Sequence, residues 1–544
     1  MDAFSKPNGA NSSPLTPLGF LERAATVYSN SLSIVYNNLT YTWSDTFSRC
    51  LRLASSISRL GIVKGDVVSV IAPNIPAIYE LHYAAPMAGA VINTINTRLD
   101  ARTISILLHH SESKLLFVDD HLIHLIREAV YLLPDGFARP RLVLIIDDGP
   151  KSLPTDHFIN TYENMVEKGD PGFKWVRPDT DWDPLTLNYT SGTTSSPKGV
   201  VHSHRGNFIG AIGSLVDWFV PKEPVYLWTL PMFHANGWSF IWGMAAVGGT
   251  NICLRKFNAY TIYNAIHKHH VTHMCGVPVV LNMLTKCQPL NHRVHIMTGG
   301  SPPPVAVLLN VESLGFDVCH GYGMTETIGP SAACAWKREW NQLPANERAR
   351  LKARQGVRTM SMTEVDVVDP ESGVSVTRDG LTHGEIVFKG ASVMLGYLKD
   401  PESTKRCMKN GWFYTGDVGV MHADGYLEIK DRLKDIIISG GENVSTVEVE
   451  SVLCLHPAVN EAAVVGRANE YWGETPCAFV NLKDDVAATA EEIMAFCKEK
   501  MPRYMVPKSV VFKEELPRTS TGKIQKNVLR DIVKTMGSGV TSRL

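Results

Sequence analysis

The 544-residue chain has no charge excess: 53 Lys and Arg against 54 Asp and Glu give a formal net charge of −1. That excludes the bulk positive field that holds nucleic acid non-specifically, and leaves placed cations as the means of meeting a small anion. A cysteine pairing pattern is also missing. Ten cysteines are scattered along the chain without a CxxC pair or metal-ligand spacing, so they read as free thiols in a reducing compartment. Long apolar runs are absent as well. The most apolar stretch, 227–250, is interrupted by Pro231, His234, Asn236 and glycines, whereas a spanning helix wants ~20 nearly unbroken apolar residues. It reads as buried core. The N-terminus, MDAFSKPNGANSSPLTP, lacks the basic-then-apolar order of a secretory leader. At 44% hydrophobic and 20% charged residues the chain is too apolar to be disordered, and its length suggests three or four units of ~150 residues.

What is present is an α/β pattern. Phe47, Cys50, Leu51, Ala54, Ile57 and Leu60 recur at helical spacing after Thr42 and Ser44 and stop at Gly61. Short apolar runs at 67–72, 115–118 and 142–146 are separated by helix-length segments, as expected for strands buried on both faces of a parallel sheet. Similar runs at 225–230, 271–277 and 294–298 predict a second α/β unit within the first 330 residues or so. From about Met362 the texture changes to alternating strands at 363–368, 384–388 and 425–430, predicting a small antiparallel barrel or sheet. The charged segment Asp431-Arg432-Leu433-Lys434-Asp435 is read as a boundary. It separates a body of residues 1–431, whose α/β units reach about 360 and whose β unit spans about 362–431, from an α+β domain at 432–544.

Four segments carry candidate chemistry. Thr190-Ser191-Gly192-Thr193-Thr194-Ser195-Ser196-Pro197-Lys198-Gly199 follows an apolar strand and is dense in hydroxyls and Gly with one Lys, which suits phosphate oxygens. It is not a Walker A loop, since Pro197 replaces the second glycine and Gly199 follows the Lys. In Gly321-Tyr322-Gly323-Met324-Thr325-Glu326 the glycines let backbone approach a ligand, Tyr322 offers a π-face, and Thr325 and Glu326 offer oxygen ligands suited to Mg²⁺. Trp412-Phe413-Tyr414-Thr415-Gly416-Asp417 places a carboxylate after a tight turn, where it could accept from ribose hydroxyls. Pro517-Arg518-Thr519-Ser520-Thr521-Gly522-Lys523 sets a Lys on a Gly-containing loop. His267, His269, His270 and His273 invite a metal reading, but fit better as a polar helix end before a strand at Val271.

Together with Gly440-Gly441-Glu442-Asn443, these segments resemble, in content and order, the adenylate-forming superfamily of acyl-CoA synthetases, luciferases and peptide-synthetase adenylation domains. The resemblance spans roughly residues 15–530, and Ser195 departs from it where many members carry Gly. The segments at 231–238 and 298–304 are more narrowly similar to plant peroxisomal acyl-activating enzymes, the cinnamate, benzoate and short- or medium-chain fatty acid CoA ligases. The last three residues, Ser542-Arg543-Leu544, are a close variant of the Ser-Lys-Leu address read by the peroxisomal import receptor, and are expected to direct the chain there.

The resemblance implies a ligase that uses ATP, CoA and Mg²⁺ to make an acyl-adenylate and then an acyl-CoA. Thr190, Ser191, Gly192, Thr193, Thr194 and Lys198 would hold phosphates. Glu326 would ligate Mg²⁺, Thr325 would contact the α-phosphate, Tyr322, between Gly321 and Gly323, would lie against adenine, and Asp417 and Arg432 would bind ribose. Lys523 would bridge the carboxylate and the α-phosphate, and Lys434 would be the hinge about which the C-terminal domain turns between steps. The acyl pocket would draw on Asn236, Trp238, Gly276, Gly299, Gly300, Ser301 and His234, the last also a candidate catalytic residue that packs beside the carboxylate or gates it, and the CoA path on Gly440, Gly441, Glu442 and Trp472. No Lys or Arg lies in the acyl segments, so a substrate with a single carboxylate and an apolar tail is expected. A luciferase-like oxidative enzyme, or one that adenylates without CoA, shares the scaffold and stays open.

Overall fold

The computed structural model describes residues 8–147, 157–190, 197–300, 303, 305–440, 442–519 and 522–536. Among these residues four sheets form. Val67–Ile71, Leu115–Asp119 and Arg141–Ile145 pair in parallel, and nearly all their side chains are buried. Helices Pro76–Met87 and Ala101–Ser111 supply the crossovers that parallel neighbours need. Strands Val91–Thr94, Pro184–Tyr189 and Gly199–Ser203 extend this sheet on one side, the last antiparallel to its neighbour.

In the second sheet Thr250–Cys253, Val225–Trp228, His273–Gly276, Val294–Thr298 and Phe316–Met324 lie side by side in parallel. The two units are not contiguous in the chain. The hairpin of Leu32–Tyr36 and Leu39–Thr42 joins the second sheet beside Thr250–Cys253, while Gly396–Tyr397 returns to the first beside Gly199–Ser203. A shared core binds them, with Trp43, Tyr79, Tyr83, Trp228 and Trp242 fully buried. Two strands are shorter than their apolar runs. The chain leaves Val225–Trp228 toward a left-handed turn, and helix Ala259–His269 ends on His270 at φ 52°, so the next strand starts only at His273.

Strands Met362–Val368, Gly384–Gly390, Met408–Lys409, Trp412–Met421 and Leu427–Arg432 form the expected antiparallel sheet, over a core that includes Ile386, Phe388 and Leu427. One expectation is corrected here. Asp417 does not follow a tight turn: it sits inside the ten-residue strand Trp412–Met421, where Gly416 at φ 72° and a nearby register shift re-aim the side chain as a bulge does. After Arg432 the next strand, Ile437–Ser439, belongs to a separate sheet with Glu442–Val444, Val459–Asn469, Gly473–Leu482 and Ser509–Phe512. Helices Thr446–Leu453, Ala490–Lys500 and Lys526–Thr535 accompany it, and the last of these was not legible as an element in the sequence. The architecture is a large α/β body with a smaller α+β unit at the C-terminus. All ten cysteines are free, and among the described residues no helix is long and apolar enough to cross a membrane.

Candidate active site

The C-terminal ends of adjacent parallel strands bring the chemistry together. Gly276 ends one strand, Thr298 ends the next and leads into Gly299, and Gly321 to Met324 end the third. Such ends leave the crevice in which open α/β sheets bind ligands. Strand Trp412–Met421 contributes Asp417, whose buried carboxylate accepts the Tyr322 hydroxyl at 2.6 Å. Asp417 and Arg432 are cross-strand partners, and the Arg432 Nε lies 3.5 Å from the Asp417 Oδ1. A phenol, a carboxylate and a guanidinium are thus fixed as one unit that can accept and donate to hydroxyls.

Beside them, the Thr190 N–H donates to the Lys198 carbonyl at 3.0 Å and the Lys198 N–H to the Thr190 hydroxyl at 3.4 Å. These bonds close the base of the hydroxyl-rich loop; its residues Ser191, Gly192, Thr193 and Thr194 lie outside the described residues. The Thr325 carbonyl accepts from His202 Nε2 at 2.7 Å, which fixes the His202 tautomer. Burial holds that imidazole neutral, with its pKa pushed down to about 4. Glu326 is buried, and burial raises its pKa. Among the described residues no Lys, Arg or His side chain forms an ion pair with it, and the Tyr397 hydroxyl donates to its Oε1 at 2.8 Å. The Arg432 charge acts on it only from beyond ion-pair distance, and a buried carboxylate that is ion-paired with no described side chain suits a divalent cation with oxygen ligands, so the residues present fit Mg²⁺.

The opposite wall is a strained turn. Ala235, Asn236, Gly237, Trp238 and Ser239 are all left-handed, with φ from 35° to 70°, a run that L-residues avoid. Its environment determines it: the Asn188 amide donates to the Asn236 Oδ1 at 2.5 Å and the Ser239 hydroxyl to the Ile328 carbonyl at 2.8 Å. Gly237 has no alternative residue, because a Cβ there would stand 2.6 Å from the Trp228 ring. The turn presents half-buried His234 and lays the buried Trp238 indole against Gly299, where an added Cβ would lie 3.2 Å from the ring. Gly276 is buried and Gly300 exposed beside this wall, at φ 84°.

Lys523 arrives from the C-terminal unit. The Thr519 N–H donates to the Lys523 carbonyl at 2.6 Å and the Lys523 N–H to the Thr519 hydroxyl at 3.1 Å, which ties these two residues together; Ser520 and Thr521 between them lie outside the described residues. A Cβ at Gly522 would meet Val277 and Val279 at 3.6 Å, so Gly522 is seated against those two side chains, next to Gly276. Burial and then the Arg432 charge push the Lys523 pKa down to about 7. Burial, with Lys523 adding to it, holds His234 neutral at about 4. Farther out, the Gly440 N–H donates to the Trp472 carbonyl at 2.8 Å, and a Cβ at Gly440 would stand 2.5 Å from that indole, which the left-handed glycine alone permits.

Residues 21–398 match the AMP-binding enzyme family, and residues 448–523 match the AMP-binding enzyme C-terminal domain. The chain belongs to this family. It is 65% identical to a 2-methylpropanoate–CoA ligase of Humulus lupulus, CCL4, with 98% of each chain covered. It is 62% identical to the probable acyl-activating enzyme 5, peroxisomal, of Arabidopsis thaliana, with 99% of each covered. Among solved structures, o-succinylbenzoate CoA synthetase of Bacillus subtilis, in complex with ATP and a magnesium ion, superposes with a TM-score of 0.79 at 26% identity, over 94% of this chain and 99% of that one. The chain is an AMP-forming acyl-CoA synthetase, an ATP-dependent ligase.

In this synthetase Tyr322, Asp417 and Arg432 form one hydrogen-bonded and ion-paired unit, and Lys523, His234 and the 276–299 wall form another. Lys434 keeps much of its surface exposed between the sheets; its backbone carbonyl accepts from Arg530 at 3.3 Å, and partial desolvation of the amine followed by the Arg432 charge lowers its pKa. Glu442 pairs back on Ser439. Ser301, Gly441 and the terminal Ser542, Arg543 and Leu544 lie outside the described residues. Three features had no reading in the sequence: Tyr397, His202 and the left-handed turn. Gly-Tyr or His in a strand is too common a pattern to mark a site, and backbone handedness leaves no trace in residue type when four of five positions carry side chains.

Proposed function

We propose that this synthetase activates short apolar monocarboxylic acids, branched aliphatic acids first among them, in the peroxisome. The observation that carries the site assignment is the seat of Gly522, beside Lys523, on Val277 and Val279, with the Lys523 charge coupled to His234 on one side and to Arg432 and Asp417 on the other. The substrate carboxylate attacks the α-phosphorus of ATP, the bond to the bridging oxygen breaks, and pyrophosphate leaves. The thiol of CoA then loses its proton and attacks the acyl carbon, and AMP leaves. In the first step an anion meets a polyanion, so positioned cations must offset the repulsion. Lys523 serves as a compact point charge between carboxylate and α-phosphate, and Lys198 takes the outer phosphates. Asp417 and Arg432 hold ribose and Tyr322 borders adenine. Glu326 would hold Mg²⁺, which when bound neutralises phosphate charge.

Trp238 against Gly299 closes the acyl wall with a bulky ring, which supports short acids over long ones, and the 2-methylpropanoate ligase that is 65% identical supports a small branched acid. Location rests on Ser542-Arg543-Leu544 and on the relative described as peroxisomal. The second step needs CoA where Lys523 now sits, so the unit after Arg432 turns about Lys434, bringing Gly440 and Trp472 toward the pantetheine path. The test separates the half-reactions. Lys523→Ala is expected to lower acid-dependent pyrophosphate exchange by about 10²–10³-fold, while thioester formation from preformed acyl-adenylate and CoA survives. Equal loss of both would remove Lys523 from this role.

A further inference from the structure

Tyr397 touches both phosphate-side groups and has no assigned role. It lies on the two-residue strand Gly396–Tyr397, paired with Val200 and Val201 just after the phosphate loop. Its hydroxyl donates to Glu326 Oε1 at 2.8 Å, and the Lys198 ammonium sits over its ring, 4.6 Å from the centroid. The surrounding backbone ties the same two elements. The Met394 N–H donates to the Glu326 carbonyl at 2.8 Å, the Leu395 N–H to Val201 at 2.8 Å and the Leu398 N–H to Gly199 at 2.7 Å. The segment 394–398 is therefore a strap across the end of the loop, and Tyr397 is the side chain that reaches inward from it.

We propose that Tyr397 is a positioning residue with two separable duties: its hydroxyl orients the Glu326 carboxylate for the divalent cation, and its ring face parks the Lys198 ammonium for the incoming phosphates. The proposal rests on the reading of Glu326 and Lys198 given above. With one oxygen engaged by the phenol, Glu326 keeps its second oxygen for a cation and cannot rotate away. The ring quadrupole offers a weak attraction that a polyphosphate readily outcompetes, so Lys198 waits at the site and is released to ATP when it binds.

The two duties give different variants different signatures. Tyr397→Phe keeps the ring and removes the hydroxyl, and Tyr397→Leu removes both. ATP binding to the full-length enzyme measured by calorimetry in EDTA reads Lys198. Binding of Mn²⁺ to the enzyme–ATP complex, followed by electron paramagnetic resonance, reads Glu326. Tyr397→Phe is expected to weaken Mn²⁺ binding roughly tenfold, the worth of one hydrogen bond to a charged group, with ATP affinity in EDTA unchanged. Tyr397→Leu is expected to show the same Mn²⁺ defect plus a loss of about threefold in metal-free ATP affinity. Glu326→Gln serves as the control for the underlying reading. If Glu326→Gln leaves Mn²⁺ binding intact, the carboxylate is not the metal ligand and that reading fails. If Glu326→Gln impairs it while Tyr397→Phe does not, or if both Tyr397 variants lose metal-free ATP affinity alike, the inference about Tyr397 is overturned alone.

Discussion

At the residue scale the site runs on charges placed where water is scarce. Lys523 is the clearest case, because burial and Arg432 bring its pKa down to about 7, against an ordinary lysine near 10. The clamp requires the charged form, which is present below that pKa and lost as pH rises through it. The free-enzyme profile of adenylation, read as kcat/KM by pyrophosphate exchange, should therefore fall above about pH 7, and Lys523→Arg should move the fall upward, since guanidinium stays charged. His234 and His202, both near 4, stay neutral over that range and contribute no limb. A flat profile between pH 6 and 9 would contradict the assignment. The candidacy of Asp417 and Lys523 was legible in the sequence only through the resemblance that the segments carry together, since a Lys on a Gly-containing loop or an Asp near a turn is common on its own. Tyr397 was not, since its importance comes from a strand pairing across 197 residues of sequence, which residue type does not announce.

At the element scale the left-handed turn at 235–239 is the costly piece, and because it follows His234 and contains Trp238 it would shape the proposed acyl pocket. Four side-chain-bearing residues in that conformation persist because Asn188, Ser239 and the Trp228 ring define the space around them. Gly237→Ala adds a Cβ 2.6 Å from the Trp228 ring in a left-handed residue, so it should cost about 2–4 kcal/mol, read as a fall in Tm, and raise KM for the acid more than for ATP. An unchanged Tm would mean that the turn is not held as described. The parallel strands of both sheets were legible from their apolar runs, but the turn ended one run early at Trp228, and the hairpin at 32–42 crossed to the second sheet, because non-local pairing is decided by packing rather than by periodicity.

At the scale of the whole molecule the near-zero net charge agrees with the proposal that Lys198, Arg432, Lys523 and a divalent cation, rather than a general field, meet the anionic substrates. The charged segment 431–435 was read as a boundary, and the strands on either side of it belong to different sheets; the approach of Gly522 to Val277 and Val279 was not legible, since contact between units depends on the pose of both. The proposed peroxisomal location is tested on the whole chain: removal of Ser542-Arg543-Leu544 from a fluorescent fusion should turn a punctate pattern into a diffuse cytosolic one, and persistent puncta would refute it. The proposed preference for short apolar monocarboxylic acids is decided by CoA-dependent AMP release over a panel running from acetate through 2-methylpropanoate and hexanoate to palmitate, with benzoate, cinnamate and malonate included. The highest kcat/KM is expected for 2-methylpropanoate or a similar short branched acid, with malonate and palmitate at least about tenfold lower. Palmitate or malonate as the best substrate, or AMP release indifferent to CoA, would contradict it.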